Sequence, residues 1–481
     1  MNYSELLRLA APEAVLVGTA LAVLALGLLN SRAVILCSGV AAAGLLFAAS
    51  SVLMLPAQAS LFNGMLVISP LSSLFKIICL ALAFFTVILA RQLETPHHGE
   101  YLALLLLATV GLMLLVGSEE LLVIFIGLEL TGLSLYLMAA FDKGDVRSAE
   151  AGLKYFLFGS TASAFTLFGI SLVYGMTGTT SLAGIAPKLA TMTPLLAAGI
   201  VMTLIGFAFK IAAAPFHLWA PDTYQGAPPA SAAFIASGSK VASFVVLGKI
   251  VLVGFGPIHG AADWKGLIAG WVPLLALLAA LSILLGNLVA LAQKNVRRLL
   301  AYSAVAHAGY TLLGLIAGGR EGFAATLFYT TIYAFTLLGA FGVVALVRRE
   351  TGGDDFTHFA GLRRRSSWLA GCMLVFMLSL AGIPPLAGFF GKFYLFSAAL
   401  HSGANYGLLW LVALALLGSL ISFYYYLIVL KVIFVDNPGT DLPGFRPDFI
   451  QRATIALLAL IVLFLGLFPG GLISKITGGL P

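Results

Sequence analysis

The stretch FKIAAAPFH at residues 209–217 places a lysine, a proline and a histidine inside an apolar segment. Proline removes a backbone donor and clashes with the preceding helical turn, so a helix is predicted to break here. A charge in the middle of a bilayer costs about 2.5–3.5 kcal/mol on insertion scales, and it therefore faces a partner or a wet cavity. The stretch predicts a broken membrane helix with a functional lysine beside the break.

A second stretch, AGIPPLAGFFGK at residues 381–392, also combines a proline break with a following lysine. Freed backbone carbonyls are costly in lipid, so broken helices tend to line a protein or water cavity. Two interrupted segments in corresponding halves of a chain point to inverted repeats with a site near the midplane. The two stretches lie five predicted spans apart, and because five is odd, a five-helix repeat would recur upside down.

The composition predicts an all-α polytopic membrane protein. Hydrophobic residues make up 61% of the 481 residues and charged residues only 9%, whereas a soluble domain is roughly 25% charged. A membrane-spanning helix needs about 20 apolar residues. Fourteen runs meet or approach that length, and they form one membrane domain: 9–29, 34–55, 66–90, 101–117, 121–141, 152–175, 195–217, 229–253, 270–292, 299–317, 323–347, 367–397, 405–433 and 452–473.

The basic residues set the predicted orientation, because cytoplasmic loops are enriched in Lys and Arg. With both termini outside, on the periplasmic side, fifteen basic residues fall in inward loops: Arg32, Arg91, Lys143, Arg147, Lys294, Arg297, Arg298, Arg348, Arg349, Arg363, Arg364, Arg365, Lys431, Arg446 and Arg452. Five fall outside: Arg8, Lys188, Lys265, Arg320 and Lys475. The net charge of +7 therefore reports topology and does not indicate nucleic-acid binding, which needs a continuous basic face.

Several cofactor classes have no support in the sequence. The three cysteines, Cys37, Cys79 and Cys372, are far apart in apolar runs and form no CxxC pair, so iron–sulfur, haem and zinc sites are not predicted. Neither nucleotide-binding glycine motif occurs. We expect buried free thiols, and no cofactor or metal in this chain.

Five ionisable residues lie within the predicted spans and form a candidate proton relay: Glu129, Lys210, Lys240, His307 and Lys392. Burial favours a neutral lysine and a nearby carboxylate favours the charged form, so movement of Glu129 would switch Lys210 between holding and releasing a proton. Imidazole both accepts and donates near neutral pH, so His307 could bridge two lysines. The alternatives are a static ion pair for Glu129 and Lys210, structural roles for Lys240 and His307, and a Lys392 that snorkels.

Two further residues are secondary candidates. Lys154 follows Glu150 by four residues, which suits an ion pair at the start of a helix. His217 is seven residues from Lys210 and on the same helical face, so it is predicted to line the same cavity. A structural role remains open for Lys154.

The other charges near the spans are interpreted as structural. Lys249 lies on the opposite helix face from Lys240 and is predicted to snorkel. Lys76 has no predicted partner, and Glu119 and Glu120 are predicted to be solvated in a short outward turn.

Four segments of the chain resemble one known family: EAGLKYFLFGS (150–160), FKIAAAPFHLWAPDTYQGAPP (209–229), NVRRLLAYSAVAHAGY (295–310) and LSLAGIPPLAGFFGKFY (378–394). They are similar to the antiporter-like subunits of proton-pumping NADH:quinone oxidoreductase, respiratory complex I. The chain looks most like the N-type branch, since M-type subunits usually carry Glu where Lys392 stands and L-type subunits have a long C-terminal extension. Multisubunit sodium/proton antiporters and membrane-bound hydrogenases share the fold and remain the alternative.

The resemblance implies fourteen helices with two inverted five-helix repeats whose seventh and twelfth helices are broken. The implied parts are three N-terminal helices (1–95), a first repeat (96–255), a second repeat (256–435) and a C-terminal helix (436–481). It implies that Glu129 and Lys210 are the coupling pair, that Lys240 relays protons, and that Lys392 leads outward. His307 would lie between the last two.

The resemblance also implies the partners of this chain. Electron transfer would occur in other subunits, which would carry NADH, FMN, iron–sulfur clusters and quinone. M-type and K-type membrane subunits and the lateral helix of an L-type subunit would be neighbours within a bacterial inner membrane. The expected function is proton translocation as a subunit of the enzyme, with no redox centre in this chain.

Overall fold

The protein is described from a computed structural model that covers residues 3–30, 34–91, 93, 95–189, 191–402, 406–437 and 448–480. Arg32 and Arg446, which contribute to the predicted charge bias, lie outside the described residues. Twelve helices in the described ranges are long and apolar enough to cross a membrane: α2 (Ala11–Leu29), α3 (Val34–Leu53), α4 (Pro70–Ala90), α5 (His98–Val116), α6 (Leu121–Ala139), α7 (Val146–Thr177), the combined helix Pro229–Gly254, α13 (Trp271–Leu291), α14 (Val296–Ala317), α15 (Gly319–Thr351), α20 (Leu409–Phe434) and α21 (Phe449–Leu467).

Two shorter apolar helices account for the remaining predicted runs. These are α9 (Pro194–Lys210) and α18 (Ser367–Ala381), which end at the two breaks that the sequence predicts. The seventh span resumes as α10 (Trp219–Gly226) and the twelfth as α19 (Ala387–His401). The polytopic all-α prediction is therefore confirmed, and the prolines explain why two spans are short.

The remaining elements are small. The eighth span consists of α11 (Pro229–Ala236), α12 (Gly238–Lys249) and a π-helical turn, Ile250–Gly254. Two antiparallel hairpins lie in loops, β1 (Ala59–Leu61) with β2 (Leu66–Ile68) and β3 (Ala261–Asp263) with β4 (Gly266–Ile268). The short helices are α1 (Tyr3–Leu9), α8 (Leu182–Ile185), α16 (Phe356–Phe359), α17 (Leu362–Arg365) and α22 (Pro469–Gly479).

Side chains cap several of the membrane helices. Asp145 accepts a hydrogen bond from the Arg147 amide at the start of α7, and Glu120 accepts one from the Val123 amide at the start of α6. Such caps satisfy amides that have no partner within the helix. Glu120 is only 4% exposed, so the prediction that it is solvated was wrong; its carboxylate accepts a hydrogen bond from the amide of Val123 on α6 instead.

The core lies around α14 and α15. Residues of α15 are buried throughout its apolar window, and those of α14 and the eighth span are almost as completely buried. Helices α2 and α3 are mostly exposed and present large apolar side chains outward, including Leu21 and Leu46. Lipid would cover those faces. Among the helices that carry the polar side chains described below, α12, α19 and α20 pack against α14 or α15, while α6 and α9 both pack against α7.

Candidate functional site

The first break is closed by protein groups. Lys210 ends α9, and the indole Nε1 of Trp219 donates a hydrogen bond of 3.0 Å to the carbonyl of the preceding residue, Phe209. The amide of Ala214 donates to Ser282 Oγ at 2.8 Å. Backbone groups freed by a break must find partners away from water, and these bonds hold the buried end of α9 in place.

Glu129 and Lys210 face the same small cavity. Phe125, Tyr136 and Ser163 are among the residues that line it, and its volume is about 20 Å³. Glu129 accepts a hydrogen bond from the Ser163 hydroxyl; no ion pair within 4.0 Å joins it to Lys210, and both residues are among those described. A cavity of this size has room for one water molecule, so the two groups are arranged for a water-mediated contact.

The ammonium of Lys210 also lies over two aromatic rings. Its Nζ is 5.7 Å from the ring centre of Tyr136 and 5.9 Å from that of Tyr155. The electron-rich face of a phenol ring stabilises a cation that has lost its water. The site can therefore hold a charged Lys210 without a carboxylate in direct contact.

Lys240 lies on α12 and is 2% exposed. Its Nζ donates a hydrogen bond of 2.7 Å to the carbonyl of Ala304 on α14. Within the described ranges, no carboxylate lies within 4.0 Å of it. A neutral acceptor holds the amine in either protonation state, as a relay requires.

His307 is engaged at both ring nitrogens. Its Nδ1 lies 2.6 Å from the hydroxyl of Tyr329, and its Nε2 lies 3.0 Å from the hydroxyl of Tyr426. The Tyr426 hydroxyl also forms a hydrogen bond with Ser303. The imidazole therefore contacts side-chain hydroxyls at both nitrogens, in contrast to a buried histidine that only satisfies a backbone carbonyl.

Lys392 lies beside the second break and is 5% exposed. Its Nζ donates one hydrogen bond of 3.1 Å to the carbonyl of Ala381, the last residue of α18, and another of 2.8 Å to Ser419 Oγ. The same atom lies 5.3 Å from the ring centre of Tyr310. The side chain is thus directed into the protein and serves as a donor to a carbonyl freed by the break.

The secondary candidates are placed elsewhere. Lys154 forms the predicted ion pair with Glu150 and a second one with Asp222, each at 2.6 Å, and Asp222 also binds Arg298. His217 is buried, but it is not among the residues that line the cavity of Glu129 and Lys210. The prediction that His217 shares this cavity was wrong, because the chain leaves the helix before reaching it.

Two other buried lysines have acidic partners. Lys76 Nζ lies 2.6 Å from Glu13 Oε1, a partner that sequence reasoning missed. Lys249 donates to the Val116 carbonyl at 3.0 Å and lies 3.4 Å from Glu119, which is therefore paired and not simply solvated. These pairs neutralise charge and differ from the relay candidates, whose described contacts are mainly with neutral groups.

Sequence reasoning also missed three hydroxyls of the site, those of Ser303, Tyr329 and Tyr426. Tyrosine in membrane proteins is enriched at the two interfaces. Both tyrosines instead lie inside predicted apolar runs, Tyr329 six residues after the start of 323–347 and Tyr426 seven residues before the end of 405–433. That position is the sequence signal that could have identified them.

An apolar helical bundle with two broken helices and protonatable groups beside both breaks defines an antiporter-like membrane subunit. The transmembrane family "NADH:quinone oxidoreductase/Mrp antiporter, TM" matches residues 118–422, and the chain belongs to this family. The family resemblance predicted from the four sequence segments is confirmed.

Named relatives match nearly the whole chain. "NADH-quinone oxidoreductase subunit N 2" of Acidobacterium capsulatum is 47% identical over 98% of both chains. "NADH-quinone oxidoreductase subunit N" of Desulforamulus reducens is 40% identical over 86% of this chain and 85% of its own.

Solved structures agree with the fold. A chain of respiratory complex I from Thermus thermophilus with bound aureothin is 34% identical, with a TM-score of 0.82 over 97% of this chain and 100% of that one. A chain of the Mrp complex from Dietzia sp. DQ12-45-1b has a TM-score of 0.83 over 98% of this chain and 96% of its own, at 22% identity, which shows the shared fold alone.

Proposed function

We propose that this chain is the N-type membrane subunit of NADH:quinone oxidoreductase and carries protons through Glu129, Lys210, Lys240, His307 and Lys392. The observation that carries the proposal is the cavity between Glu129 and Lys210, which has room for one water molecule. Relatives named subunit N at 40–47% identity support the assignment.

The geometry suggests how the coupling pair works. Glu129 is held by the Ser163 hydroxyl, while Lys210 faces two phenol rings. Movement of the carboxylate towards Lys210 favours the ammonium, and movement away favours the neutral amine and release of a proton. The released proton passes to Lys240 and then, through His307, to Lys392.

The energy for this transfer comes from outside the chain. Moving one charge against 100 mV costs about 2.3 kcal/mol. We place the redox reaction, with NADH, FMN, iron–sulfur clusters and quinone, in partner subunits, so that this chain contributes a proton path to the enzyme and no electron-transfer step.

The proposal also covers location and assembly. The chain lies in a bacterial inner membrane with both termini on the periplasmic side, beside M-type and K-type subunits and the lateral helix of an L-type subunit. Its four parts are 1–95, 96–255, 256–435 and 436–481, of which the second and third are inverted repeats. The similar placement of a lysine beside each proline break supports this division.

A second candidate is a subunit of a sodium/proton antiporter or membrane-bound hydrogenase. This candidate is retained because the fold matches a chain of an Mrp complex with a TM-score of 0.83. Sequence identity favours the first candidate, at 40–47% against 22%. Co-purification with flavin and iron–sulfur subunits would establish the first, and their absence from the intact purified complex would favour the second.

The test replaces the coupling pair in the native membrane complex. We expect Glu129→Gln and Lys210→Ala to lower proton pumping and NADH:quinone activity about tenfold, equivalent to about 1.4 kcal/mol of barrier, in a normally assembled complex. Lys475→Ala is the control, because Lys475 is exposed and lies on α22, away from this site. Full pumping by both variants in an assembled complex would disprove the proposed relay.

A further inference from the structure

The hydroxyl groups around His307 form one continuous hydrogen-bonded chain. Tyr329 contacts Nδ1 of the imidazole, Tyr426 contacts Nε2, and Ser303 contacts the Tyr426 hydroxyl. His307 and Tyr329 are 2% exposed, and Tyr426 and Ser303 are fully buried. These groups are therefore shielded from bulk water and bonded to one another in a fixed order.

The two ends of this chain lie next to different lysines. Ser303 directly precedes Ala304, whose carbonyl accepts the hydrogen bond of Lys240. At the other end the Tyr329 ring packs against Gly391, where an added Cβ would lie 2.4 Å from Tyr329 Cδ2. Gly391 is the neighbour of Lys392, so the chain of hydroxyls extends from the Lys240 side to the Lys392 side.

We propose that Ser303, Tyr426, His307 and Tyr329 form a proton wire that joins Lys240 to Lys392. This inference rests on the proposed function and assigns the connection to side chains. The tyrosines are part of the path itself, in addition to holding the imidazole in place.

The proton balance follows from the order of the groups. A neutral imidazole carries one N–H and one acceptor nitrogen. A proton arriving at Ser303 from the Lys240 side displaces the Ser303 proton to Tyr426, the Tyr426 proton to His307 Nε2, and the Nδ1 proton to Tyr329. The Tyr329 hydroxyl proton then leaves towards Lys392, and every group is again neutral.

One passage leaves the imidazole in its other tautomer. The ring starts with its proton on Nδ1 and ends with it on Nε2, while each hydroxyl has reversed its hydrogen bond. The wire must reset before it can carry a second proton in the same direction. It therefore carries one proton between successive resets.

Tyr333 provides a matched control in the same place. Its ring stacks on His307 with ring centres 4.9 Å apart, yet its buried hydroxyl has no hydrogen-bond partner among the described residues. Tyr333→Phe removes a buried phenol hydroxyl beside the same imidazole without removing a bond of the wire. Tyr329→Phe and Tyr426→Phe keep the rings and remove one link each.

The experiment compares the three Phe variants in the complete membrane complex, with assembly checked by intact mass. We expect Tyr329→Phe and Tyr426→Phe to lower proton pumping about tenfold, equivalent to about 1.4 kcal/mol of barrier, and Tyr333→Phe to pump as the unmodified complex does. The solvent deuterium effect on pumping by the two wire variants should also change, since a purely structural role would not alter proton transfer.

Two results would overturn the wire. One is normal pumping by both Tyr329→Phe and Tyr426→Phe, and the other is an equal loss in all three variants, which would indicate packing. Lys210→Ala is measured in parallel: if it abolishes pumping while the wire variants pump normally, only the wire is wrong. If Lys210→Ala also pumps normally, the proposed function itself fails.

Discussion

Lys76 and Glu13 form an ion pair 2.6 Å long, with 1% and 10% of their side chains exposed. The pair joins α4 to α2, two of the helices before the segment that the family matches. Removing one partner of a buried pair leaves an uncompensated charge, whereas replacing both by apolar groups is often tolerated. Loss of either partner alone should therefore destabilise the protein more than replacement of both by apolar residues.

Glu13→Ala should lower the free energy of unfolding by about 3–5 kcal/mol, because Lys76 loses its partner in an apolar setting. The double variant Glu13→Leu, Lys76→Met should recover most of that loss. Thermal unfolding of the purified complex in detergent measures both. Equal stability of Glu13→Ala and the unmodified protein would contradict this account.

The loop after α15 should lose stability in acid. Asp354 lies in that loop and is 4% exposed; burial pushes its pKa up, but the Arg297 guanidinium, the Asn295 amide and Arg348 outweigh burial and hold the pKa of Asp354 below its usual value. Because the pKa of Asp354 is lower in the folded protein than in the unfolded chain, the stabilisation from its carboxylate is fully present above the ordinary carboxyl pKa. It is lost as the pH falls through the lower, folded value.

The variant Asp354→Asn tests this sign. We expect it to be about 3–5 kcal/mol less stable than the unmodified protein at neutral pH, because Arg297 is left buried without a counter-charge. The difference should shrink as the pH falls below the ordinary carboxyl range, since the native carboxylate then becomes neutral too. Melting temperatures measured at several pH values check it, and a difference that grows in acid would show the sign to be wrong.

Gly391→Ala should disturb the packing beside the second break. The new Cβ would lie 2.4 Å from Tyr329 Cδ2 and 2.6 Å from Ile332 Cδ1, and overpacking of this kind costs about 1–3 kcal/mol. The control is Gly371→Ala, whose Cβ would meet no atom within 4 Å. Melting temperatures of the two variants should separate clearly, and equal values would mean that Tyr329 yields freely.

Lys154→Gln should have a small effect. Its side chain is 38% exposed, and those of its two partners, Glu150 and Asp222, are 55% and 28% exposed. Exposed ion pairs contribute only about 0–1 kcal/mol, so we expect a loss within that range and pumping well above that of Glu129→Gln. Pumping as low as that of Glu129→Gln, in an assembled complex, would move Lys154 into the relay.

The membrane helices could be predicted because lipid offers the backbone no hydrogen-bond partners, so each span must form its hydrogen bonds within its own helix. The breaks after Lys210 and after Ala381 could also be predicted, since proline cannot continue a helix. Buried lysines are conspicuous in apolar runs for the same energetic reason. The contacts of these lysines could not be predicted, because they depend on how helices far apart in the sequence pack together.

Contacts across the bundle show this limit. Tyr426 reaches His307 across 119 residues of sequence, and Ser282 closes the break at Ala214 from 68 residues away. No local pattern encodes such pairings. Glu13 was missed for the same reason: its position near the start of an apolar run suggests a helix end, and only packing brings it to Lys76.

The two breaks are closed by different chemistry, and this has a consequence for Lys392. The Trp219 indole that caps Phe209 has no charge to lose, whereas the carbonyl of Ala381 is capped by a group that can titrate. An ammonium has three donors and a neutral amine two, and Lys392 uses two, to Ala381 and Ser419. Discharge of Lys392 therefore weakens both bonds but abolishes neither. If Lys392 carries protons as we propose, the second break therefore keeps both hydrogen bonds each time this lysine loses its charge.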